Sequence, residues 1–135
     1  MEGRLILETT FLIDLERERG RGEEGPAHVF LEVHAGQRLF ITFTVAGELA
    51  AGKSLGNREA WSDFLAPFHI LSATREVCWR YGATFRHLQA NGMLIGTNDL
   101  WIAATALANA MPVVTKNAEH FRRVPGVEIA DYFPS

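Results

Sequence analysis

The chain has 135 residues, of which 47% are hydrophobic and 21% charged; nine Phe and three Trp supply bulk for one domain with a core, which excludes a mainly disordered chain. The single cysteine, Cys78, excludes an internal disulfide framework and a cysteine-based zinc cage; it suggests a reducing compartment, and a buried, inert thiol is expected. Thirteen Lys and Arg against sixteen Asp and Glu give a net charge of −3, which argues against gripping duplex DNA by bulk electrostatics.

In chain order, residues 1–10 carry Glu2, Arg4 and Glu8 and lack the apolar run of a signal peptide. Residues 5–7 read as a strand, and Thr9 or Thr10 as the cap of a helix with Phe11, Leu12 and Leu15 on one side. Residues 17–26 mix charge with glycine and are expected as an exposed, mobile loop. Val29, Phe30 and Val33 recur at helical spacing, and the β-branched and aromatic residues 39–44 predict a strand. Thr44 is expected to open a helix through Leu49, and Asn57 to cap one carrying Trp61, Phe64 and Leu65 that Pro67 stops. Residues 68–71 are a third strand. A long helix from Thr74 carries Val77, Tyr81, Phe85 and Leu88 and stops at Asn91-Gly92. Asn98 is expected to cap an Ala-rich helix through Leu107, ahead of a strand at 112–115, a turn of helix at 117–121 and a small strand at 127–129. Residues 100–114 are too short an apolar stretch, and too broken by Thr105, Asn109 and Pro112, to cross a membrane, so a cytoplasmic protein is expected.

This alternation predicts a three-layer α/β/α domain over residues 1–135, with a central, mainly parallel sheet and a site beyond the carboxyl ends of its strands. Gly20-Arg21-Gly22-Glu23-Glu24-Gly25 spells a dinucleotide-binding pattern, but it follows a helix and sets two carboxylates where a pyrophosphate would sit, so it is read as loop. No serine has a nucleophile-elbow setting.

The informative residues are isolated acids. Between His87 and Thr115, Asp99 is the only Asp, Glu, Lys or Arg where the chain's own 21% charged content would place about six. A first-turn acid that favours the helix dipole explains Asp99 but not its apolar surroundings. Glu48 is likewise the only charge in residues 39–52, on a helix that reads as buried, and Glu8 follows the first strand directly. All three fall on one edge of the predicted sheet. Carboxylates brought together repel, and a hard divalent cation such as Mg²⁺ relieves the repulsion while activating water toward a phosphodiester.

With these acids on the page, the chain resembles PIN-domain nucleases, and among them the VapC-type toxins of prokaryotic toxin–antitoxin systems. Four ordered blocks carry the likeness: LILETTFLIDL at 5–15, FTVAGELAAG at 43–52, IGTNDLWIAA at 95–104, and VVTKNAEHF at 113–121 with VPGV at 124–127. The resemblance implies an endoribonuclease whose acids hold Mg²⁺ or Mn²⁺, whose substrate is RNA, and whose site is blocked by a cognate VapB-like antitoxin; a homodimer is also implied. Glu8, Glu48 and Asp99 would be the metal-binding catalytic acids. Glu8 stands where the family has Asp, one methylene longer, and His120 where an acid is frequent, with Asn117 and Glu119 beside it.

His120 reads as a metal ligand, a proton donor or plain surface. Thr10 and Thr115 read as hydroxyls beside the metal or as caps and strand-end packing. Lys116, Arg122 and Arg123 read as phosphate contacts or solvated cations. Trp61, Phe64 and Trp101 read as core or partner contacts. The alternative to catalysis is a degenerate PIN domain that serves as an RNA- or protein-binding module.

Overall fold

The computed structural model describes residues 3–132, so Met1, Glu2 and residues 133–135 of the expected domain, with the part played by Glu2 in the amino-terminal reading, lie outside the described residues. The strands β1 (Arg4–Leu7), β2 (Arg38–Thr42), β3 (His69–Leu71), β4 (Val113–Val114) and β5 (Ile129–Ala130) form one sheet in the order β3-β2-β1-β4-β5. Every pairing is parallel, with Ile6 opposite both Phe40 and Val113. The helices are α1 (Thr9–Arg21), α2 (Pro26–Val33), α3 (Phe43–Ala51), α4 (Arg58–Leu65), α5 (Arg75–Ala90), α6 (Thr97–Asn109) and α7 (Ala118–Arg122).

The chain steps outward from β1 to β2 to β3, then returns past β1 to β4 and continues to β5. Right-handed crossovers therefore put helices on both faces, and connections leave β1 and β4 in opposite directions. That divergence opens a crevice beyond the carboxyl ends of these two neighbours. Leu5, Ile6 and Leu7 of β1, with Ile41, Val113 and Val114, are buried and pin the crevice to the core. Phe11 packs edge-on against Tyr132 and Phe30, at centroid distances of 4.7 and 5.7 Å, which fastens α1 to α2 and to the chain's far end.

Several sequence expectations need correction. Residues 17–21 are not loop: α1 runs to Arg21, because Arg and Glu are strong helix formers whose charge solvates readily. Gly22 ends it at φ 65°, a left-handed conformation that donates to the Arg19 carbonyl. Glu18, inside that supposed loop, is buried and accepts from the amides of Ala27 (3.0 Å) and His28 (2.9 Å), so it caps α2 from a neighbouring helix. A Cβ on Gly25 would lie 2.5 Å from the Glu18 carboxyl carbon, which explains a glycine there without any nucleotide.

The caps also shift. Glu8, not Thr9 or Thr10, caps α1; Thr42, not Thr44, caps α3; and Gly96, not Asn98, precedes α6. Cys78 is exposed rather than buried, since α5 turns Val77 and not Cys78 into the core. Phe64 is core, whereas Trp61 is half-buried with its indole N–H on the Ala46 carbonyl (2.9 Å), and Trp101 stacks on Tyr81 at 4.0 Å. Among the described residues no helix is long and apolar enough to cross a membrane.

The Glu18 clamp carries a test. Glu18→Ala leaves two amides at the start of α2 without their acceptor and is expected to lower unfolding stability by about 1–3 kcal/mol. Hydrogen exchange should show Ala27 and His28 losing protection while α5 keeps its own.

Candidate active site

Glu8 is the first residue past β1, and its amide still donates to the Val114 carbonyl (3.1 Å), so the β1–β4 ladder fixes it at the crevice. Its side chain folds back to cap α1: Oε2 accepts from the Thr10 amide and from the Thr10 hydroxyl (2.6 Å). The residue is only 2% exposed. Burial raises the Glu8 carboxyl above its ordinary pKa; the two Thr10 hydrogen bonds oppose the rise, and the charges of Asp99 and Glu48 add to it. Asp99 and Glu48 both lie within electrostatic reach of Glu8.

Glu48 comes from the middle of α3 and is exposed, unlike the buried face expected for it, because α3 turns Val45, Ala46 and Leu49 inward instead. Its carboxylate is nevertheless placed. Glu48 Oε1 accepts from the Thr9 hydroxyl (2.9 Å) and from the Asn98 amide, which also donates to Thr9 Oγ1 (3.2 Å). Asn98 Oδ1 is buried with no partner.

Asp99 sits in the first turn of α6, where the helix N-terminus favours its charge. Its Oδ2 lies 2.9 Å from His120 Nδ1, and the Asn117 amide nitrogen lies 2.9 Å from the same ring nitrogen. Donation to Asp99 requires the proton on Nδ1, and a protonated Nδ1 cannot also accept from the Asn117 NH₂ group. His120 thus touches the acid rather than standing apart as surface.

The remaining sequence candidates divide. Thr10 holds Glu8, as described. Thr115, fully buried, accepts from the Asn117 amide (2.8 Å) and so turns the chain after β4 toward α7. Lys116 is ion-paired with Asp14 (2.9 Å), whose other partner is the Tyr132 hydroxyl (2.7 Å). Burial and Asp14 push the Tyr132 pKa upward, so this phenol stays protonated and donates. Arg123 reaches the Leu94 carbonyl (3.1 Å) and Glu119, and Arg122 is exposed on α7.

Sequence reasoning missed Thr9, Asn98 and Asp14. The first two adjoin Glu8 and Asp99 in the chain, which was the available signal; Asp14 carried none beyond helical spacing. It also missed Glu24, His28 and Glu32, whose ligand atoms lie within 4.8 Å of one another on and before α2. That group mixes nitrogen with oxygen, whereas the crevice sets three carboxylates beside threonine hydroxyls, the Asn98 amide and the His120 imidazole. Three carboxylates of like charge suit a hard divalent cation.

A parallel α/β sheet with acids at its switch point defines a class of protein that binds ligands at that edge. A family model described as PIN domain matches residues 5–127, and the chain belongs to this family. It is 31% identical over 133 residues to Ribonuclease VapC1 of Methanocaldococcus jannaschii, covering 96% of this chain and 89% of that protein. Among solved structures, VapBC-1 from nontypeable Haemophilus influenzae superposes with a TM-score of 0.80 at 26% identity, covering 96% of this chain and 98% of that one. VapBC2 from Rickettsia felis, bound to a promoter DNA fragment, shares the fold at TM-score 0.81 and 24% identity, covering 96% and 99%.

The raised Glu8 pKa has a signed consequence. Ionised Glu8 opposes folding above its folded-state pKa, and the penalty fades as pH falls through that value and then through the ordinary one. In EDTA at neutral pH, Glu8→Gln should therefore melt a few degrees above wild type, with the difference shrinking toward about pH 4. Thermal denaturation across pH measures this; a variant less stable than wild type at neutral pH would show that the Thr10 bonds outweigh burial.

Proposed function

We propose that this chain is a metal-dependent endoribonuclease, the toxin of a VapBC-type toxin–antitoxin pair acting in the cytoplasm. The observation that carries the reading is that buried Glu8, at the end of β1, feels the charges of Glu48 and Asp99, each acid having its own hydrogen-bonding clamp. The likeness to a ribonuclease over nearly the whole chain supports RNA as the substrate.

Glu8, Glu48 and Asp99 would hold Mg²⁺ or Mn²⁺. When bound, such an ion lowers the pKa of water and neutralises charge on a phosphodiester. The protein's own residues supply the placement. Thr9 and Asn98 aim Glu48, Thr10 restrains Glu8, and His120, with its proton on Nδ1, orients Asp99. Thr115 sets the turn that delivers Asn117 and His120. Lys116 and Arg123, although ion-paired, and Arg122 are the candidate phosphate contacts on the same side of the chain after β4. The partner proposed is a VapB-like antitoxin, supported by the likeness to VapBC-1, and the chain is proposed to form a homodimer.

Cleavage of a defined RNA panel by purified protein should require a divalent ion, stop in EDTA, and be faster in Mn²⁺ than in Mg²⁺, because the longer Glu8 arm suits the more forgiving ion. Asp99→Asn should cost about 100-fold or more and Glu8→Gln less, and His120→Ala should cost roughly 10- to 100-fold. Full activity of Asp99→Asn would reject the reading. A wild type that binds Mn²⁺ poorly and cuts nothing would support the degenerate binding module instead. Light scattering should give a dimer, and a monomer at high concentration would reject that part of the proposal.

A further inference from the structure

Lys116 and Arg123 are engaged by Asp14 and Glu119, so a polyanion must find its cations elsewhere. Among the described residues, Lys53 and Arg58 are exposed and have no ion pair, hydrogen bond or ring contact. They flank the connection between α3 and α4, and that connection is anchored. Leu55 is buried, and the Ser54 hydroxyl donates to Glu16 Oε1 on α1 at 2.7 Å. Asn57 then caps α4 by accepting from the amides of Glu59 (3.0 Å) and Ala60 (3.1 Å). Two unpaired cations are thus carried on fixed backbone.

The same connection borders a cavity of about 400 Å³, lined by Ala50, Leu55, Arg58 and Trp61 among others. Trp61 is half-buried, and the Ala46 carbonyl holds its indole N–H at 2.9 Å. The ring cannot swing away and its donor is spent, so what it gives the cavity is apolar ring surface. Leu55 also lines a second cavity, which Thr9 and Glu48 border, so the basic, aromatic cavity adjoins the acid cluster. Glu16 and Glu48 border that second cavity and repel a bare phosphate, which favours the side carrying Lys53 and Arg58.

A guanidinium without a partner and a pinned indole in one cavity suit a ligand that carries anions and flat rings along one chain, as single-stranded nucleic acid does. An acidic peptide would use the cations and leave the ring idle, and a duplex would hide its base faces. Resting on the endoribonuclease reading above, we propose that Lys53, Arg58 and Trp61 form a binding surface for single-stranded RNA beside the acid cluster, with the cations on phosphates and the indole stacked on a base.

The test is binding of a fluorescein-labelled RNA ten-mer of mixed sequence to the full chain in EDTA, followed by anisotropy across a range of salt. Lys53→Ala and Arg58→Ala should each reduce the slope of log affinity against log salt by about 0.7, the share of one single-strand phosphate contact. Arg75→Ala removes another cation without a partner, from the start of α5, and should leave the slope unchanged. Trp61→Leu should weaken binding about tenfold at constant slope. If that variant folds poorly, the indole N–H resonances of the ¹⁵N-labelled wild type serve instead: RNA should move the Trp61 signal and leave that of Trp79 in place. Poly-glutamate should displace the RNA far less well than unlabelled RNA does.

Slopes that Lys53→Ala and Arg58→Ala leave unchanged, or that Arg75→Ala lowers as much, overturn the surface. Displacement by poly-glutamate as effective as by RNA also overturns it, because an acidic peptide would then be the better fit. Metal-dependent cleavage with a KM that none of Lys53→Ala, Arg58→Ala and Trp61→Leu raises overturns the surface and leaves the nuclease reading standing. RNA binding with the expected slopes, by a protein that cuts nothing in Mg²⁺ or Mn²⁺, supports the surface and overturns the nuclease reading.

Discussion

Burial of the Glu8 carboxyl beside the like charges of Asp99 and Glu48 is the constraint around which the crevice is organised. Like charges brought near one another would swing apart if their side chains were free, since rotation into solvent removes the penalty. None is free. Glu8 is fixed by the sheet itself: the register that sets Ile6 opposite Val113 and Leu7 opposite Val114 leaves its amide on Val114 and its side chain in the interior. Glu48 and Asp99 arrive on separate helices and are restrained by neutral amides and hydroxyls or by an imidazole. The core under β1 and β4 thus supports an arrangement that the acids alone would not adopt.

Two consecutive hydroxyls show how local helix geometry divides this work. Thr9 and Thr10 are the first two residues of α1, and successive side chains of a helix project about 100° apart. Thr10 points back to Glu8 and closes the amino-terminal turn. Thr9 points across to Glu48 and Asn98, joining α1 to α3 and α6. The cap is therefore structural and positional at once: the acid that satisfies the helix amide is one of the acids of the cluster. Its Oε2 is committed to Thr10, which leaves Oε1 for the crevice.

The fold class, the parallel sheet and the three acids were legible because each leaves a periodic or compositional trace. Buried strands are short apolar runs, and an acid without charged neighbours stands out against them, as Asp99 does in residues 87–115. The amino-terminal part of residues 17–26 was misread because composition alone cannot tell a solvated helix from a loop, and the burial of Glu18 depends on amides nine and ten residues further along. Asn98 reads as a cap until its real partners, Thr9 and Glu48, are brought close by the β1–β2–β4 topology. Cys78 and Glu48 were assigned the wrong exposure for a related reason: residue type and apolar neighbours do not reveal which face of α5 or α3 meets the sheet.

The acids of α1 tie these observations together. Asp14 engages Lys116 and Tyr132, Glu16 engages Ser54, and Glu18 engages the start of α2, so the helix spends its carboxylates on fastening the segments around it. One consequence bears on substrate binding. Lys116, the cation nearest the crevice in sequence, is already paired with Asp14, and Arg123 is bound to Glu119 and a carbonyl. On a chain of net charge −3, these groups give phosphate little attraction of their own. If the proposed nuclease reading holds, the charge that brings a phosphodiester to Glu8, Glu48 and Asp99 comes from the divalent ion those acids hold, and substrate affinity, not only turnover, should depend on it.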